Sequence, residues 1–318
     1  MNTVTTSTAA TRPVRAYLAV PAHRRRLVES AARSQADAVF LDLEDAVPEA
    51  EKAEALAGAC QALSELNWGD KAVAVRVNAP GSRFLRGEID TLAAQPRLDA
   101  LLIPKAERPA DIAAISGWLS AAETRAVRTR PLALELLIES ALGLVQVEAL
   151  AQSDPRVISL HLGVGDFAAS ICARSAEVGG SPTAYRQVVP TGANYDQAPL
   201  DLFAYPMMRL LVAARAFGLL AIDGPCGAYQ DATLTRAWAD KAAAMGFDGK
   251  QVIHPSQIAP TLSAFIPDTD QQAFARRVIA AMQEAERQGH GAVSVDGKMI
   301  DYVNVRMARR ILALAGVV

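Results

Sequence analysis

The chain has 318 residues, of which 51% are hydrophobic and 21% are charged, so it can bury one large core. The formal net charge is -2, which argues against a nucleic-acid partner or an anionic membrane surface. No apolar run reaches the length that crosses a bilayer. Three widely spaced cysteines without a CxxC indicate reduced thiols in a cytoplasmic protein, and four scattered histidines argue against a histidine-based zinc site.

In chain order, a Ser/Thr/Ala-rich stretch comes first, and residues 1–13 are expected to be a disordered tail. Eight short apolar runs follow, each succeeded by a stretch with helical spacing. Such runs suit parallel strands that are buried on both faces. Their strict alternation with helices predicts an α/β fold, a TIM-type (β/α)₈ barrel over residues 14–262. The runs are 16–21, 38–45, 73–78, 100–105, 132–140, 157–166, 219–225 and 250–255.

An open doubly wound sheet is the competing architecture, but no GxGxxG follows the first strand. Two regions depart from the strand–helix repeat. Residues 167–202 form a long insertion, which in barrels usually lies over the active-site mouth. Residues 263–318 are surplus to the barrel. They predict a helical lid or oligomerisation segment, with helices near 269–289 and 303–315.

Charged residues stand where several predicted strands end, and in TIM barrels the reacting groups lie at the carboxyl ends of strands. We therefore expect one polar mouth. Asp223 belongs either to this mouth or to a solvated loop. The strand-end residues are Asp45, Arg76, Lys105, Glu139, Asp166 and Asp223.

Glu139 and Asp166 end adjacent predicted strands, and two carboxylates brought close repel each other unless a cation or a proton lies between them. Mg²⁺ suits such a pair, because it takes one or two carboxylates and completes its octahedron with water and substrate oxygens. The glycines of Gly163-Val164-Gly165-Asp166 could offer backbone N–H groups to a substrate carboxylate.

Arg76 lies inside an otherwise apolar strand, where a guanidinium needs a partner. It either binds a substrate oxygen or forms a structural pair with Asp42, Glu44 or Asp45. Arg24, Arg25 and Arg26 follow the first strand and either bind phosphate at the rim or begin a solvated helix.

These residues resemble the citrate lyase β-subunit-like (HpcH/HpaI aldolase/citrate lyase) family, in particular its malyl-CoA and citramalyl-CoA lyase group. The matching segments run in the family's order from Arg15 to about Leu312. They are LDLEDAV (41–47), RVN (76–78), IPKA (103–106), LELLIES (134–140), LGVGDFAAS (162–170), IDGP (222–225), GKQVIHPSQI (249–258) and DGKMID (296–301).

The resemblance implies a role for each matching residue. Glu139 and Asp166 match the ligands of Mg²⁺, with Mn²⁺ as an alternative ion. Arg76 matches the arginine on the substrate oxygens, and Glu44 and Asp45 match the acidic strand end that orders the waters of the metal. The remaining matches are Asp301 as an acid/base that reaches a neighbouring subunit's site, Gly163, Val164 and Gly165 at the substrate carboxylate, and Pro21, Arg24 and Lys105 at the CoA.

Two positions depart from the family pattern. Ala22 stands where relatives have glycine, beside the CoA, and Gly163-Val164-Gly165-Asp166 replaces the common GAxD. The segment DGKMID separates the chain from citrate lyase β subunits proper, which are shorter and act inside a larger complex.

The resemblance therefore implies a Mg²⁺-dependent homotrimer or homohexamer that cleaves a β-hydroxyacyl-CoA to acetyl-CoA and a 2-keto acid. Citramalyl-CoA would give pyruvate and malyl-CoA would give glyoxylate, with a lean toward the former. The alternatives are a citrate lyase β-like aldolase, a (3S)-malyl-CoA thioesterase, a Schiff-base aldolase that uses Lys105 or Lys250, and a non-catalytic acyl-CoA-binding subunit.

Overall fold

Eight parallel strands close into a barrel in the computed structural model of the chain, which describes residues 13–175, 177–192 and 194–316. Around the barrel the strand order is β1-β10-β9-β6-β5-β4-β3-β2. The strands are β1 (Ala16–Pro21), β2 (Ala38–Asp42), β3 (Ala72–Arg76), β4 (Ala100–Ile103), β5 (Ala133–Ile138), β6 (Val157–Leu162), β7 (Arg186–Thr191), β8 (Asn194–Pro199), β9 (Leu220–Asp223), β10 (Gly249–Val252), β11 (Val293–Val295) and β12 (Lys298–Ile300).

Helices connect the barrel strands, so the predicted (β/α)₈ architecture is confirmed and the open doubly wound sheet is excluded. The helices are α1 (Arg25–Arg33), α2 (Lys52–Glu65), α3 (Leu85–Leu92), α4 (Pro109–Arg125), α5 (Ala141–Val145), α6 (Val147–Ala151), α7 (Val164–Ser170), α8 (Ala204–Ala216), α9 (Ala232–Met245), α10 (Ile258–Phe265), α11 (Thr269–Arg287) and α12 (Tyr302–Leu314). Short 3₁₀ turns cover Glu49–Glu51 and Pro255–Gln257. None of the helices that the structure describes is long and apolar enough to span a membrane.

The barrel interior combines an apolar cluster with a buried polar network. Phe40, Leu102 and Ile222 belong to the apolar cluster, which small alanines on neighbouring strands complete. The network begins at the Tyr17 hydroxyl, which donates to Glu135 Oε2 at 2.8 Å.

The rest of the network centres on His161, whose side chain is fully buried. Its two ring nitrogens lie 3.0 Å from Gln251 Nε2 and 3.0 Å from Ser159 Oγ. Side chains alternate along a strand. Since Gln251 points into the barrel, the side chain of its neighbour Lys250 points outward, toward the helices.

The register sets residues of the first strands side by side at their carboxyl ends. Pro21 pairs with Asp42, and Asp42 pairs with Arg76. Glu139 directly follows β5, and Asp166 lies in the first turn of α7, which follows β6. The fold thus places the charged residues of strands β2 to β6 on one end of the barrel.

The long insertion between α7 and α8 contains an antiparallel hairpin of β7 and β8, whose strand residues are all exposed. Before the hairpin, Gly227 N–H donates to Val178 O at 2.9 Å, which ties the insertion to the loop after β9.

The chain divides into two compact units between Thr261 and Leu262. The second unit contains α11, the β11–β12 hairpin and α12, which pack around Val278, Met282, Val295 and Ile300. Helices were predicted in this segment, and α11 and α12 confirm them. The tail expected over residues 1–13 lies, except for Pro13, outside the described residues.

Candidate active site at the carboxyl ends of the barrel strands

Glu139 is a buried carboxylate at the mouth of the barrel, with only 3% of the residue exposed. Its Oε1 accepts a hydrogen bond of 2.7 Å from the backbone N–H of Lys105. On its other side, a Cβ added to Gly163 would overlap Glu139 Cβ and would lie 2.7 Å from Oε2. Position 163 therefore has to be glycine for the carboxylate to occupy this place.

The electrostatic state of Glu139 is set by burial and by neighbouring carboxylates. Burial, together with the negative charges of Asp166 and Glu44, raises its pKa to about 8, against the lowering effect of Arg76 and of the Lys105 N–H. The mutual repulsion places Asp166 within electrostatic reach of Glu139. Asp166 itself is exposed, in the first turn of α7.

A divalent cation fits this pair, because its charge would favour the ionised form of the buried Glu139 and offset the repulsion from Asp166. Within the described ranges, no cluster of three or more His, Cys, Asp or Glu side chains could hold a metal ion. An ion here would therefore rest on two carboxylates and take its other ligands from water and substrate. That donor set suits Mg²⁺ rather than zinc.

Arg76 forms a two-point ion pair with Asp42 at the ends of β3 and β2. Its Nε lies 2.7 Å from Asp42 Oδ1 and its Nη2 lies 2.6 Å from Oδ2. The third nitrogen, Nη1, lies 3.7 Å from Glu44 Oε2. Two of the three guanidinium nitrogens thus face a structural partner. The family resemblance implies that Arg76 contacts substrate oxygens. Only the remaining edge of the guanidinium, at Nη1, would make that contact.

Asp42 was named in the sequence only as an alternative partner of Arg76, and its importance was missed. Besides the two bonds from Arg76, it accepts the backbone N–H of Glu44 at 2.9 Å and of Ala46 at 3.2 Å. Asp42 therefore fixes both the arginine and the turn that carries Glu44 and Asp45. The signal available in the sequence was the acidic strand end beside an arginine-bearing strand.

Glu44, Asp45 and Lys105 form a second charged cluster. Lys105 Nζ lies 2.5 Å from Glu44 Oε1 and 3.3 Å from Asp45 Oδ1. Burial raises the pKa of Glu44, although Lys105 and Arg76 oppose this. Burial would also raise the pKa of Asp45, but its hydrogen bond with Glu44 and the charge of Lys105 outweigh that effect and lower it.

The cluster bears on the alternative of a Schiff-base lysine. Burial would lower the pKa of Lys105, but its bonds to Glu44 and Asp45 raise it. Lys250 is buried on the outer side of the barrel wall, where its Nζ lies 2.6 Å from Asp223 Oδ2 and also donates to Gly224 O. A nucleophilic amine needs a lowered pKa and access to substrate, and neither lysine combines the two. Asp223 is thus neither a mouth residue nor a solvated loop residue.

The turn after β6 supplies fewer backbone donors than its glycines suggest. The Gly163 N–H donates to Ile138 O at 2.9 Å within the barrel. The side chain of Val164 is buried and packs against Gly224, where an added Cβ would lie 2.6 Å from Val164 Cγ1. Val164 and Gly165 begin α7, and such first-turn amides have no intrahelical acceptor. They remain as donors for the expected substrate carboxylate.

The residues expected at CoA lie at the rim. Pro21 ends β1, its carbonyl accepts the Arg24 N–H at 3.1 Å, and the Arg24 side chain is exposed just before α1. The Lys105 ammonium is engaged by Glu44 and Asp45. Of the two cationic residues, Lys105 is thus paired with carboxylates, whereas Arg24 presents an exposed guanidinium at the surface.

Asp301 lies in the second unit, where it caps α12. Its Oδ1 accepts the backbone N–H of Val303 at 2.8 Å and of Asn304 at 3.4 Å, and Asn304 Oδ1 accepts the Asp301 N–H at 2.9 Å. This capping box gives Asp301 a structural function within its own unit. The proton-transfer role implied for it stays a prediction.

The model of one protein family, described as HpcH/HpaI aldolase/citrate lyase, matches residues 15–255. A curated L-malyl-CoA/beta-methylmalyl-CoA lyase of Cereibacter sphaeroides is 36% identical over 306 residues, which cover 96% of this chain and 95% of that protein. A (3S)-malyl-CoA thioesterase of the same species is 33% identical over 303 residues, 95% of each chain.

Among solved structures, the protein CitE from Mycobacterium tuberculosis in complex with magnesium, acetoacetate and coenzyme A has a TM-score of 0.71. It is 29% identical, and the match covers 96% of this chain and 98% of that one. The relatives therefore support lyase chemistry on CoA thioesters.

Proposed function

Because the chain belongs to the HpcH/HpaI aldolase/citrate lyase family, and is thus a lyase, we propose that it is a Mg²⁺-dependent enzyme that cleaves a β-hydroxyacyl-CoA. The products would be acetyl-CoA and a 2-keto acid. The observation that carries the proposal is the buried Glu139 carboxylate, whose pKa burial and the nearby Asp166 and Glu44 raise to about 8. The similar structure that contains magnesium and coenzyme A adds support for both ligands.

Glu139 and Asp166 would hold the ion. A Mg²⁺ ion bound there supplies a positive charge that polarises the substrate oxygens and stabilises negative charge developing on them. The burial of Glu139 strengthens this effect, because a charge acts more strongly where water is excluded.

Three groups of the chain would then carry out the chemistry. Asp45, which lies beside Glu44 and Lys105 after β2, would accept the hydroxyl proton of the substrate. Arg76, held by Asp42, would stabilise the charge on the keto-acid oxygen. Breaking the carbon–carbon bond leaves the electron pair on the acetyl-CoA enolate, and Asp301 in its protonated form would donate a proton to the terminal carbon. Exchange with solvent would then remove the proton from Asp45 and restore the one on Asp301.

Asp301 would come from a neighbouring subunit of a homotrimer or homohexamer. Support comes from the surface around it in the second unit. Val303 and Met307, four residues apart on α12, are 43% and 60% exposed, and Met299 on β12 is 79% exposed. Exposed apolar side chains on the two elements that flank a carboxylate suit docking against another protein surface.

For the substrate, we propose the malyl-CoA type or the citramalyl-CoA type. The relative named L-malyl-CoA/beta-methylmalyl-CoA lyase favours the first, whereas the DGKMID segment (296–301), which resembles the citramalyl-CoA branch of the family, favours the second. Thioester hydrolysis is the second candidate function, because a (3S)-malyl-CoA thioesterase is 33% identical over 95% of the chain.

The test is an activity screen of the purified protein with malyl-, β-methylmalyl-, citramalyl- and citryl-CoA, with Mg²⁺ and with chelator. The lyase releases a keto acid and acetyl-CoA, and chelator abolishes this release. The thioesterase releases free CoA without a keto acid. Failure to turn over any of the four thioesters with Mg²⁺ would contradict the proposed function and would favour an acyl-CoA-binding subunit.

A further inference from the structure

Val178, in the insertion between α7 and α8, lies between two glycines of the barrel mouth. A Cβ on Gly165 would lie 3.8 Å and 3.9 Å from the two Cγ atoms of Val178. A Cβ on Gly227 would lie 3.0 Å from Val178 Cβ and 3.1 Å from its carbonyl oxygen. The valine side chain thus occupies space that side chains at these two positions would fill.

The main chain around Val178 is firmly held. The Gly227 N–H donates to Val178 O at 2.9 Å. Gly179 has a positive φ of 84°, and a Cβ there would lie 2.7 Å from Trp238 Cζ3 and 2.8 Å from Pro225 O. The Trp238 ring has the buried Lys250 ammonium 5.9 Å from its centre. The insertion is therefore seated on α9 and on the loop after β9, which fixes the direction of Val178.

The location of Val178 matters because it approaches Gly165 in the fold. Gly165, which Val178 approaches, directly precedes Asp166, one of the two carboxylates assigned to the metal ion. Val178 is 40% exposed, so part of its branched apolar side chain is accessible to a ligand. Gly165 is among the residues expected at the substrate carboxylate, so the apolar side chain that approaches it borders the place where the keto-acid half of the substrate would bind.

We propose that Val178 contacts the substituent on the hydroxyl-bearing carbon of the substrate and sets the preference between a hydrogen and a methyl group there. The inference rests on the proposed function, in which the keto-acid half of the substrate binds at Glu139 and Asp166. A hydrogen at this carbon gives glyoxylate as the product, and a methyl group gives pyruvate. Val178 is in this sense a specificity-determining residue rather than a reacting one.

The experiment compares wild type with Val178→Ala and Val178→Leu. The first readout is the ratio of kcat/KM for citramalyl-CoA to that for malyl-CoA. Removing two methyl groups should raise this ratio about 10-fold, and the longer leucine should lower it, since one methyl group in an apolar pocket changes discrimination by about 10- to 200-fold. The second readout is calorimetric binding of pyruvate and of glyoxylate with Mg²⁺. The pyruvate-to-glyoxylate affinity ratio should move in the same directions.

Val188→Ala is the matched control, because Val188 lies in the β7–β8 hairpin of the same insertion, is 56% exposed and loses the same two methyl groups. Its two ratios should equal those of wild type. Ratios of Val178→Ala within twofold of wild type in both readouts, or an equal change in Val188→Ala, would overturn the assignment. If wild type cleaves no thioester but the keto-acid affinity ratio changes in Val178→Ala, the lyase proposal fails and the assignment of Val178 stands.

Discussion

Arg76 and Asp42 meet edge to edge at the barrel mouth, with Nε 2.7 Å from Oδ1 and Nη2 2.6 Å from Oδ2. The Asp42 side chain is 3% exposed and that of Arg76 is 14% exposed, so water screens the pair little. The pair holds the guanidinium in one orientation at the end of β3. Geometry of this kind matters most where a charge has to lie at a defined distance from a reacting atom.

Asp42→Asn should therefore impair catalysis through Arg76. The neutral amide cannot balance the guanidinium, which would turn toward Glu44 Oε2, now 3.7 Å from Nη1. A displacement of about 1 Å at a reacting centre costs about 10²-fold in rate. We expect kcat to fall about 100-fold and the free energy of unfolding to fall by about 3 kcal/mol. Steady-state kinetics and denaturant unfolding measure the two effects.

Asp37→Asn is a matched control for this prediction. Asp37 pairs with Arg15 in the same two-point geometry, at 2.7 Å and 2.9 Å, but just before β1 and β2 rather than after them. The control should lose stability and keep kcat. Equal losses of kcat in Asp42→Asn and Asp37→Asn would show that the Arg76–Asp42 pair affects only stability.

Mg²⁺ should stabilise the folded protein through Glu139 and Asp166. An ion at 100 times its Kd adds about 2.7 kcal/mol to the free energy of unfolding. Glu139→Gln and Asp166→Asn should lose this response, because each removes a ligand. At pH 9, above the pKa of about 8, the metal-free Glu139→Gln protein should be more stable than metal-free wild type, since a buried charge beside Asp166 and Glu44 is gone.

Thermal unfolding with and without Mg²⁺ measures this prediction. Glu148→Gln is the control, because the Glu148 side chain is 49% exposed and pairs with Arg209 on the outer surface. A full Mg²⁺ response in Glu139→Gln would place the ion elsewhere in the protein.

The barrel and the row of charged strand ends were readable from the sequence, because continuous apolar runs and their polar ends follow directly from parallel strands buried on both faces. Arg76 ends β3 and Glu139 directly follows β5 for this reason. Asp166 does not end its strand as predicted, because β6 stops at Leu162 and Asp166 lies in the first turn of α7. Side-chain direction was harder to predict. Asp223 also ends a strand, yet it turns outward to Lys250, because Gln251 takes the inner position on the neighbouring strand.

Contacts between distant loops could not be predicted from the sequence at all. Val178 is positioned by the hydrogen bond from the Gly227 N–H to its carbonyl oxygen and by the packing of Gly179 against Trp238. Gly227 and Trp238 both lie far along the chain from Val178. No local pattern of residues encodes such a contact. The pairing of Asp42 with Arg76 lies between these cases, since it depends on the β2–β3 register.

Tyr17→Phe should change how stability depends on pH. Burial raises the pKa of Tyr17 well above its usual value, and the charge of Glu135 and its hydrogen bond raise it further. Between pH 10 and this raised pKa, the folded state keeps a phenolic proton that the unfolded state releases. The free energy of unfolding should thus fall above pH 10, by about 1.4 kcal/mol per pH unit from this group.

Tyr17→Phe should remove that part of the alkaline slope. At pH 7 it should also cost about 1–3 kcal/mol, because Glu135 Oε2 loses a buried donor at 2.8 Å. Tyr195→Phe, which removes a phenol that is 69% exposed, is the control and should change neither quantity. Urea unfolding at pH 7 to 11 tests both, and an unchanged alkaline slope in Tyr17→Phe would rule out Tyr17 as its source.

Asp301→Asn should separate the capping function of Asp301 from its proposed role in proton transfer. Asparagine caps a helix as well as aspartate does, so α12 should keep its stability. Asparagine cannot supply a proton to the enolate carbon, and a positioned acid/base group contributes about 10²–10⁴-fold to the rate. We expect kcat to fall by this factor while thermal unfolding stays unchanged.

Asp268→Asn is the control, because Asp268 caps α11 through the same type of capping box with Gln271. Near wild-type turnover in Asp301→Asn, or an equal loss in Asp268→Asn, would leave Asp301 with its capping function alone.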